Sequence, residues 1–330
     1  MSGHPAVASS APAGRLVTLS GWGGRPRSTA RVVRPAGIEG IEQLPSSEPI
    51  VPRGLGRSYG DAAQLAGGTV LDLTGMADID LDVAGGRVTT GGGASLAEVI
   101  DTVLPHGWFL PVTPGTRHVT VGGAVAADIH GKNHHRDGSF GDHLESLRIL
   151  TGDGREVVAR PGDPDFRATL GGMGLTGVIV EASFRLVDVA SSWMRVDTYR
   201  ADDLGGVMDR LQEADRRYRY SVAWLDLAPG RRGRGVIMGG DHATPDELPA
   251  RSRRRPLHRK AGPALPAPRL PAGGRLVGSS VGVFNALWYR KSREGTARPT
   301  RIDEFFYPLD RLDEWHRLYG GGGFLQYQFV

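Results

Sequence analysis

The sequence predicts an α+β protein with two units, in which a glycine-rich ligand-binding unit precedes a second unit that has its own sheet. The chain has 330 residues, more than one hydrophobic core usually organises. Glycine accounts for 49 of them and separates short apolar runs of strand type, so glycine-rich loops that grip a ligand are expected. Near Ser191 the pattern changes to longer alternating strands and an amphipathic helix.

The predicted elements of the first unit follow one another closely. One helix begins at Ser95, which forms a capping box with Glu98 ahead of apolar residues at helical spacing up to Val103. A short helix is predicted over 163–170, whereas the shortened segment between Ala36 and Ser47 leaves little room for the helix expected between the first strands. Strands are predicted over residues 15–19, 69–73, 78–83, 87–91, 146–152, 155–159 and 177–189.

The second unit is predicted to be built from strands and one amphipathic helix. These elements are a strand over 193–199, a helix over 202–217, strands over 220–227 and 234–239, and further strands near 280–290. The predicted organisation is a flexible tail over 1–14, a ligand-binding domain over 15–190, and a second domain over 191–330 that contains a basic, proline-rich loop over 241–275.

Composition excludes several classes of protein and site. The chain has no cysteine, which excludes disulfides, thiolate nucleophiles, iron–sulfur clusters and cysteine zinc sites. No apolar run reaches the roughly 18 residues that a membrane span requires. The N-terminal residues lack a basic stretch followed by an apolar one. A cytoplasmic location is therefore expected, with peripheral membrane contact and a periplasmic location as open alternatives.

The basic charge of the chain is concentrated in one segment. Eleven Lys or Arg residues and no Asp or Glu lie between Leu248 and Arg293, although the net charge of the whole chain is only +4. A solvated loop is one interpretation, and contact of Arg253, Arg254 and Arg255 with an anionic membrane is another. Binding of nucleic acid is not predicted, because few aromatic residues accompany the arginines and no nucleic-acid-binding fold surrounds them.

The first chemically informative stretch is PRGLGRSYGDAAQ at 52–64. Its glycine spacing, G-x-G-x-x-x-G, departs from the Rossmann pattern, and another strand follows where that pattern requires a helix. The successive glycines can instead form a turn whose backbone N–H groups bind a pyrophosphate. An ordinary glycine turn between strands is the alternative.

A second stretch, 114–154, combines another glycine-rich turn with five of the ten histidines. Zinc is not predicted there, because the HExxH pattern is missing and Gly131 interrupts a helix beside His130, His134 and His135. Lys132 is one of only three lysines in a chain with 40 basic residues, so its place in this stretch indicates a specific role rather than background composition. A third glycine-rich turn opens the stretch 171–186.

These three stretches, in this order, resemble the flavin-binding domain of the vanillyl-alcohol-oxidase-type FAD oxidoreductases, the PCMH type. PRGLGRSYGD, GGAVAADIHGKNHH, LWYRKS (287–292) and FLQYQFV (324–330) are similar to the branch that oxidises polyprenyl-phosphate ribose while making arabinose donors for cell-wall arabinan. The resemblance, which extends to D-arabinono-1,4-lactone oxidase-like proteins, implies a two-subdomain PCMH-type FAD-binding domain and an antiparallel-sheet substrate domain. That domain is expected to be incomplete, because the family continues past FLQYQFV and supplies a lysine and a tyrosine near the flavin.

The resemblance also implies the residues of the site. FAD is expected to be bound non-covalently, because Arg57 occupies the place where many relatives carry the linking histidine. His130 is expected to position the substrate hydroxyl or accept its proton, and Lys132 to hold the sugar phosphate. Flavin packing is the alternative role of His130. The implied flavin pocket consists of Arg53, Gly54, Leu55, Gly56, Arg57, Ser58, Tyr59, Gly60, Asp61, Ala62, Gly115, Thr120, Val121, Gly122, Gly123, Ala127, Asp128, Ile129, His130 and Ile179.

The expected substrate residues are Tyr59, Lys132, Trp224, Gln326 and Gln328, with Tyr289 as a further wall of the site. The implied reaction is FAD-dependent oxidation of the 2′-hydroxyl of a decaprenyl-phosphate-linked ribose to the 2′-keto sugar. An NAD(P)H-dependent reductase is the partner expected to complete the epimerisation. Two alternatives remain open, namely oxidation of a free alditol or sugar lactone, and a truncated, non-catalytic flavin-binding subunit.

Overall fold

A computed structural model describes residues 14–45, 48–259, 262, 264–267, 278–324 and 326. These residues form an α+β structure with a four-stranded and a five-stranded sheet in the first unit and a four-stranded sheet in the second. The predicted fold class is therefore confirmed. Within the described ranges, no helix combines the length and the apolar character that crossing a bilayer requires.

The first sheet mixes parallel and antiparallel strands in the order β1-β2-β4-β3. Its elements are β1 (Arg15–Ser20), β2 (Arg27–Val33), α1 (Ile38–Glu42), β3 (Ile50–Arg53) and β4 (Thr69–Asp72). Helix α1 connects β2 to β3 and packs Ile41 into a core with Val33 and Leu71. The sequence predicted little room for a helix over residues 36–47, and the helix found there has only five residues, of which Ile41 is buried.

The second sheet is antiparallel, in the order β5-β6-β10-β8-β9, and a short pair β11-β7 flanks it. Its strands and helices are β5 (Ile79–Asp82), β6 (Arg87–Gly91), α2 (Leu96–Val103), β7 (Trp108–Phe109), α3 (Val121–Ala126), α4 (His134–Asp137), β8 (Leu144–Leu150), β9 (Glu156–Ala159), α5 (Pro164–Thr169), β10 (Val178–Arg185) and β11 (Val187–Asp188). The capping box of α2 is confirmed, since Ser95 Oγ accepts from Glu98 N at 3.1 Å and Ser95 N donates to the Glu98 carboxylate at 2.8 Å.

The third sheet is antiparallel in the order β13-β14-β12-β16. The remaining elements are β12 (Trp193–Ala201), α6 (Leu204–Arg217), β13 (Tyr220–Leu225), β14 (Gly235–His242), α7 (Ala250–Arg253), β15 (Leu265–Pro266), α8 (Gly278–Lys291), β16 (Gly295–Arg301), α9 (Ile302–Phe306) and β17 (Leu312–Asp313). Helix α6 covers one face of this sheet. The other face joins the main core through Tyr220, Phe305 and Phe306. The strands predicted near 280–290 are wrong, because this segment is helix α8.

The basic segment is divided between the two ends of strand β12. At the Trp193 end, Ser192 Oγ donates to the carbonyls of Pro256 and His258 at 3.1 and 2.9 Å. At the Ala201 end, Tyr289 Oη of α8 donates to the Ala201 carbonyl at 3.4 Å. Nine strand residues span roughly 26 Å. The prediction of an unstructured loop over 241–275 is wrong for 241–259, which holds the end of β14, a 3₁₀ turn and α7.

Arg259, from the same segment, ties the two units together. Its guanidinium pairs with Asp303 at 2.7 Å and also contacts Asp101 on α2. Asp303 in turn pairs with Arg117 at 3.1 Å, and the Arg259 side chain is only 8% exposed. The cluster therefore fixes the start of α9 against the first unit.

We expect Arg259→Met to lower the free energy of unfolding by about 2 kcal/mol, because it leaves Asp303 with one cationic partner in a mostly dry site. Urea unfolding followed by circular dichroism measures the change. Arg254→Met removes an exposed charge from the same segment and should change stability by less than about 0.5 kcal/mol. Equal stability of the two variants would contradict a structural role for the Arg259 cluster.

Candidate active site

The three glycine-rich stretches of the sequence converge on helix α3. A Cβ added at Gly54 would lie 2.1 Å from Thr120 Oγ1, so the first stretch touches the start of α3. At the end of α3, the Ala126 carbonyl accepts a hydrogen bond of 2.8 Å from Met173 N of the third stretch. Gly122 and Gly123 of the second stretch lie in the short helix α3, so the interpretation of this part as a turn is wrong. Gly122 is required by close packing, because its Cβ would lie 2.8 Å from the Gly92 carbonyl.

Arg53 fixes the conformation of the first stretch through its side-chain hydrogen bonds. Arg53 donates from Nη2 to the Ser20 carbonyl at 2.7 Å and from Nη1 to the Ala63 carbonyl at 3.0 Å. Gly56 and Gly60 have φ values of +64° and +70°, which L side chains rarely adopt. The backbone consequently turns twice within five residues, and the turn can present N–H groups to an anion.

Trp22 is a component of this site that the sequence did not predict. Its backbone N–H donates to the Ser58 carbonyl at 2.8 Å, and the Arg57 guanidinium lies 4.2 Å from its ring centroid. The His316 ring meets Trp22 edge-on at 4.4 Å. His316 Nδ1 is buried and has no hydrogen-bond partner among the described residues. The signal available in the sequence was the run GWGG at 21–24, another place where glycines surround a flat side chain.

The residues present fit an FAD. Added Cβ atoms at Gly60 and Gly115 would meet nothing within 4 Å, and Gly123 and Ala127 are exposed at the other side of α3. A flat ring can therefore approach the backbone at several points. Arg53 and Arg57 supply two cations beside the glycine turn, which suits a diphosphate. The residues that would hold the cofactor are Arg53 to Ala62, Gly115, Thr120 to Gly123, and Ala127 to His130.

Three of the predicted flavin residues have roles that their side chains fill within the protein. Val121 and Ile179 are buried in the main core, so only their backbone atoms are available to a ligand. Asp128 has a φ of +40°, and its carboxylate accepts from Gly141 N and Ser139 Oγ at 2.9 Å each. Asp128 thus fixes the path of the chain immediately before His130.

His130 lies where this segment begins to cross toward the second unit. Its backbone pairs with Ser139, and its ring lies 5.8 Å from the His134 ring. Burial lowers the pKa of His130, and the neighbouring His134 lowers it further. The neutral imidazole is therefore the favoured form at pH 7, and a neutral ring can accept a proton.

Lys132 joins the flavin-binding loops to the third sheet. Ser221 N of β13 donates to the Lys132 carbonyl at 2.8 Å, and Lys132 Nζ donates to the Phe306 carbonyl at 3.3 Å. Burial lowers the pKa of Lys132 to about 8. Five residues on, Asp137 pairs with Arg219 at 2.7 Å. The segment from Asp128 to Asp137 consequently forms the junction of the two units.

The structure brings only some of the expected substrate residues to this junction. Trp224 is half-buried on β13 and shares a sheet face with Tyr220, which packs against Phe306. The Tyr59 ring lies 5.4 Å from the Phe324 ring beside the glycine turn. Tyr289 lies apart, at the Ala201 end of β12.

The other expected residues divide between exposed and undescribed positions. Gln326 is exposed, and Gln328 lies outside the described residues. Among the side chains that the structure describes, no group of three His, Asp or Glu converges on a common metal position. His135 instead lies near Asp215 and His143 bonds the Asp137 carbonyl, so the histidines of this stretch face different partners.

Comparison with known proteins agrees with this geometry. A family profile for the FAD binding domain matches residues 43–160, which include the glycine turn and α3. Decaprenylphosphoryl-β-D-ribose oxidase from Mycolicibacterium smegmatis is 38% identical, over 94% of this chain and 71% of the relative. An uncharacterised protein of Streptomyces coelicolor is 44% identical, over 71% of this chain and 66% of its own length.

Similarity to other flavin enzymes covers less of the chain. The alditol oxidase of a Streptomyces species is 28% identical, over 51% of this chain and 41% of the relative. The match to the ribose oxidase, in contrast, extends across both units. Together with the FAD-binding geometry around α3, this places the chain in the family of FAD-dependent oxidoreductases with a PCMH-type domain to which decaprenylphosphoryl-β-D-ribose oxidase belongs, with FAD as the cofactor.

Proposed function

We propose that the chain oxidises the 2′-hydroxyl of a polyprenyl-phosphate-linked ribose to the 2′-keto sugar. The observation that most supports this proposal is the extent of the similarity to the ribose oxidase, which covers 94% of the chain and so includes the third sheet. The junction between Lys132 and that sheet offers a cation and a neutral imidazole beside the flavin-binding loops. Such a site suits a sugar hydroxyl that lies close to a phosphodiester.

The residues of the junction have distinct tasks in this reaction. FAD, when bound, supplies the acceptor for the hydride that leaves C2′. His130, neutral at pH 7, accepts the hydroxyl proton as the carbonyl forms. Lys132 is cationic below pH 8 and holds the phosphodiester, which orients the ribose. Trp224 lies on a face of the third sheet that would form the opposite wall of the sugar site.

Oxidation of a free alditol or sugar lactone is the second candidate function. It is favoured by the similarity to an alditol oxidase, but that similarity spans 51% of the chain and therefore cannot include both units in full. A free alditol also offers no anion to Lys132. A non-catalytic flavin-binding role is the third candidate, and it predicts bound FAD that no sugar reduces.

Anaerobic reduction of the bound flavin tests these alternatives. We expect a short-chain polyprenyl-phosphoryl ribose to bleach the yellow absorbance of the FAD-loaded protein, and ribitol or a sugar lactone to leave it unchanged. Acid precipitation should release the flavin into solution, since we expect the FAD to be non-covalent. Bleaching by ribitol alone would replace the proposed substrate, and protein that keeps its FAD but is bleached by none of these compounds would favour the non-catalytic role.

The keto product also suggests a partner. A ketone formed at C2′ becomes an epimeric alcohol only when hydride returns to the opposite face of the sugar. An NAD(P)H-dependent reductase supplies that chemistry, and we propose it as the enzyme that consumes the product.

A further inference from the structure

Exposed apolar side chains gather at one end of the third sheet. Sixteen large apolar side chains are exposed among the described residues, and six of them lie on α8, at the end of β13 or on the β13–β14 connection. Phe284 and Leu287 are 60% and 61% exposed, and Leu227 is 72% exposed. These six residues are Leu225, Leu227, Val283, Phe284, Leu287 and Trp288. We call α8 together with residues 225–234 the hairpin–helix end.

Polar contacts orient α8 so that these side chains face outward. Asn285 Nδ2 donates to the buried Asp226 carboxylate at 2.8 Å, and Tyr289 Oη donates to the Asp202 carboxylate at 2.8 Å. The two anchoring residues are four positions apart and therefore share one helix face. Phe284 and Trp288, on another face, stack on each other with ring centroids 6.3 Å apart. Both keep substantial exposure.

Positive charge surrounds this apolar surface. Residues 225–234 and 278–294 contain six Lys or Arg and two Asp or Glu. Of the two acids, Asp226 is fully buried and pairs with Arg234 at 2.9 Å. Glu294 accepts from the Arg200 backbone N–H at 3.0 Å. Arg290, Lys291 and Arg293 are exposed beside the apolar face, and Glu294 is the one exposed acid of these two segments.

We propose that the hairpin–helix end binds the surface of an anionic lipid bilayer. The exposed apolar and aromatic side chains of α8 and of residues 225–227, with Arg and Lys next to them, are the residue types that favour the membrane interface. The same positive charge disfavours a second copy of the chain as the occupant, because two such ends would repel each other. The contact would bring the protein to the bilayer in which a lipid-linked substrate resides. Vesicle binding itself requires no turnover, so it is tested independently of the proposed reaction.

The place of this contact differs from the one expected from the sequence. Arg253, Arg254 and Arg255 lie at the Trp193 end of β12, whereas α8 lies at the Ala201 end. Arg253 also donates to the Leu248 carbonyl at 2.9 Å, within its own segment. Two clusters of three cations, close in the sequence, thus occupy opposite ends of one strand. They provide a matched pair for experiment.

Removal of apolar surface at constant charge tests the apolar part of the contact. We expect the FAD-loaded chain to co-sediment with vesicles of phosphatidylcholine and phosphatidylglycerol, and Phe284→Gln/Leu287→Gln to weaken that binding by roughly 10-fold or more. Leu16→Gln/Val158→Gln, which alters two exposed apolar residues of the flavin-binding unit, should leave binding within about twofold of the parent. Equal losses in the two double variants would overturn the proposal.

Removal of charge tests the electrostatic part. We expect Arg290→Gln/Lys291→Gln/Arg293→Gln to lower vesicle affinity by roughly 10-fold or more at low salt, and the same three changes at Arg253, Arg254 and Arg255 to have an effect below about twofold. High salt should weaken parental binding. No binding by the parent, or a larger loss from the second triple variant, would overturn the proposal. Light scattering tests whether a second copy of the chain covers this surface instead. A parental dimer that dissociates in Phe284→Gln/Leu287→Gln, without any vesicle binding, would assign the surface to a second copy.

Discussion

Lys132→Met is expected to lower kcat/KM for a short-chain polyprenyl-phosphoryl ribose at pH 7 by roughly 10- to 100-fold, the worth of one charged hydrogen bond. Burial lowers the pKa of Lys132 to about 8, so the amine is cationic at pH 7 and becomes neutral above pH 8. Because the substrate phosphodiester stays anionic over this range, parental kcat/KM should fall as the pH rises through 8. Anaerobic flavin reduction at several substrate concentrations gives kcat/KM at each pH. The pH dependence of kcat/KM reports the pKa values of groups in the free enzyme.

Two further variants separate the charge of Lys132 from its packing. Lys132→Arg keeps a cation at high pH, so its kcat/KM should be almost independent of pH between about 7 and 9.5. Arg160→Met, which removes an exposed charge from the flavin-binding unit, should keep both the parental rate and the parental pH dependence. A Lys132→Met protein that retained the fall above pH 8 would assign that titration to another group.

Local sequence signals predicted the elements whose conformation is decided locally. The capping box at Ser95 and Glu98 satisfies the first N–H groups of α2 within four residues, so the helix start could be recognised without tertiary information. Alternating strands such as β10 were found for the same reason, since a period of two is visible in the sequence.

Elements that depend on tertiary contacts were predicted less well. Two consecutive glycines in α3 disfavour a helix by propensity, yet Gly122 is needed because the Gly92 carbonyl passes 2.8 Å from the position of its Cβ. The segment of α8 has apolar residues that also suit a strand. Its helical form is anchored by Asn285 and Tyr289, whose partners Asp226 and Asp202 lie more than 50 residues away. Neither choice could be made from neighbouring residues alone.

The residues of the candidate site also differ in how far the sequence could predict them. The motifs predicted that the glycine turn and the segment from Asp128 to Lys132 belong to the site, because both resemble the flavin-binding domain of a known family. Trp22 and His316 were missed, although they meet at 4.4 Å beside Arg57. They are almost 300 residues apart in the sequence, so no local pattern shows that the GWGG run at 21–24 lies beside His316.

Gly54→Ala is expected to weaken FAD binding by roughly 10- to 100-fold. The added methyl group would lie 2.1 Å from Thr120 Oγ1 and 2.9 Å from Thr120 Cγ2, both far inside contact distance. Thr120 caps α3 by accepting from Gly123 N at 3.1 Å, so displacing it moves the helix start away from the glycine turn. Overpacking of this kind costs about 1–3 kcal/mol, which corresponds to the expected range in affinity. Titration of the apoprotein with FAD, followed by quenching of flavin fluorescence, measures the dissociation constant.

A second substitution distinguishes this collision from a general loss of folding. Thr120→Ala removes Oγ1 and Cγ2 but costs about 1 kcal/mol through loss of the cap. In Gly54→Ala/Thr120→Ala the closest remaining contact of the new methyl group with residue 120 is its Cβ at 3.0 Å. The double variant should therefore bind FAD more tightly than Gly54→Ala, which makes the two changes strongly non-additive. Gly152→Ala, whose added Cβ meets nothing within 4 Å, should bind FAD as the parent does. If Thr120→Ala weakened FAD binding equally in the parent and in Gly54→Ala, the loss would arise outside the contact between Gly54 and Thr120.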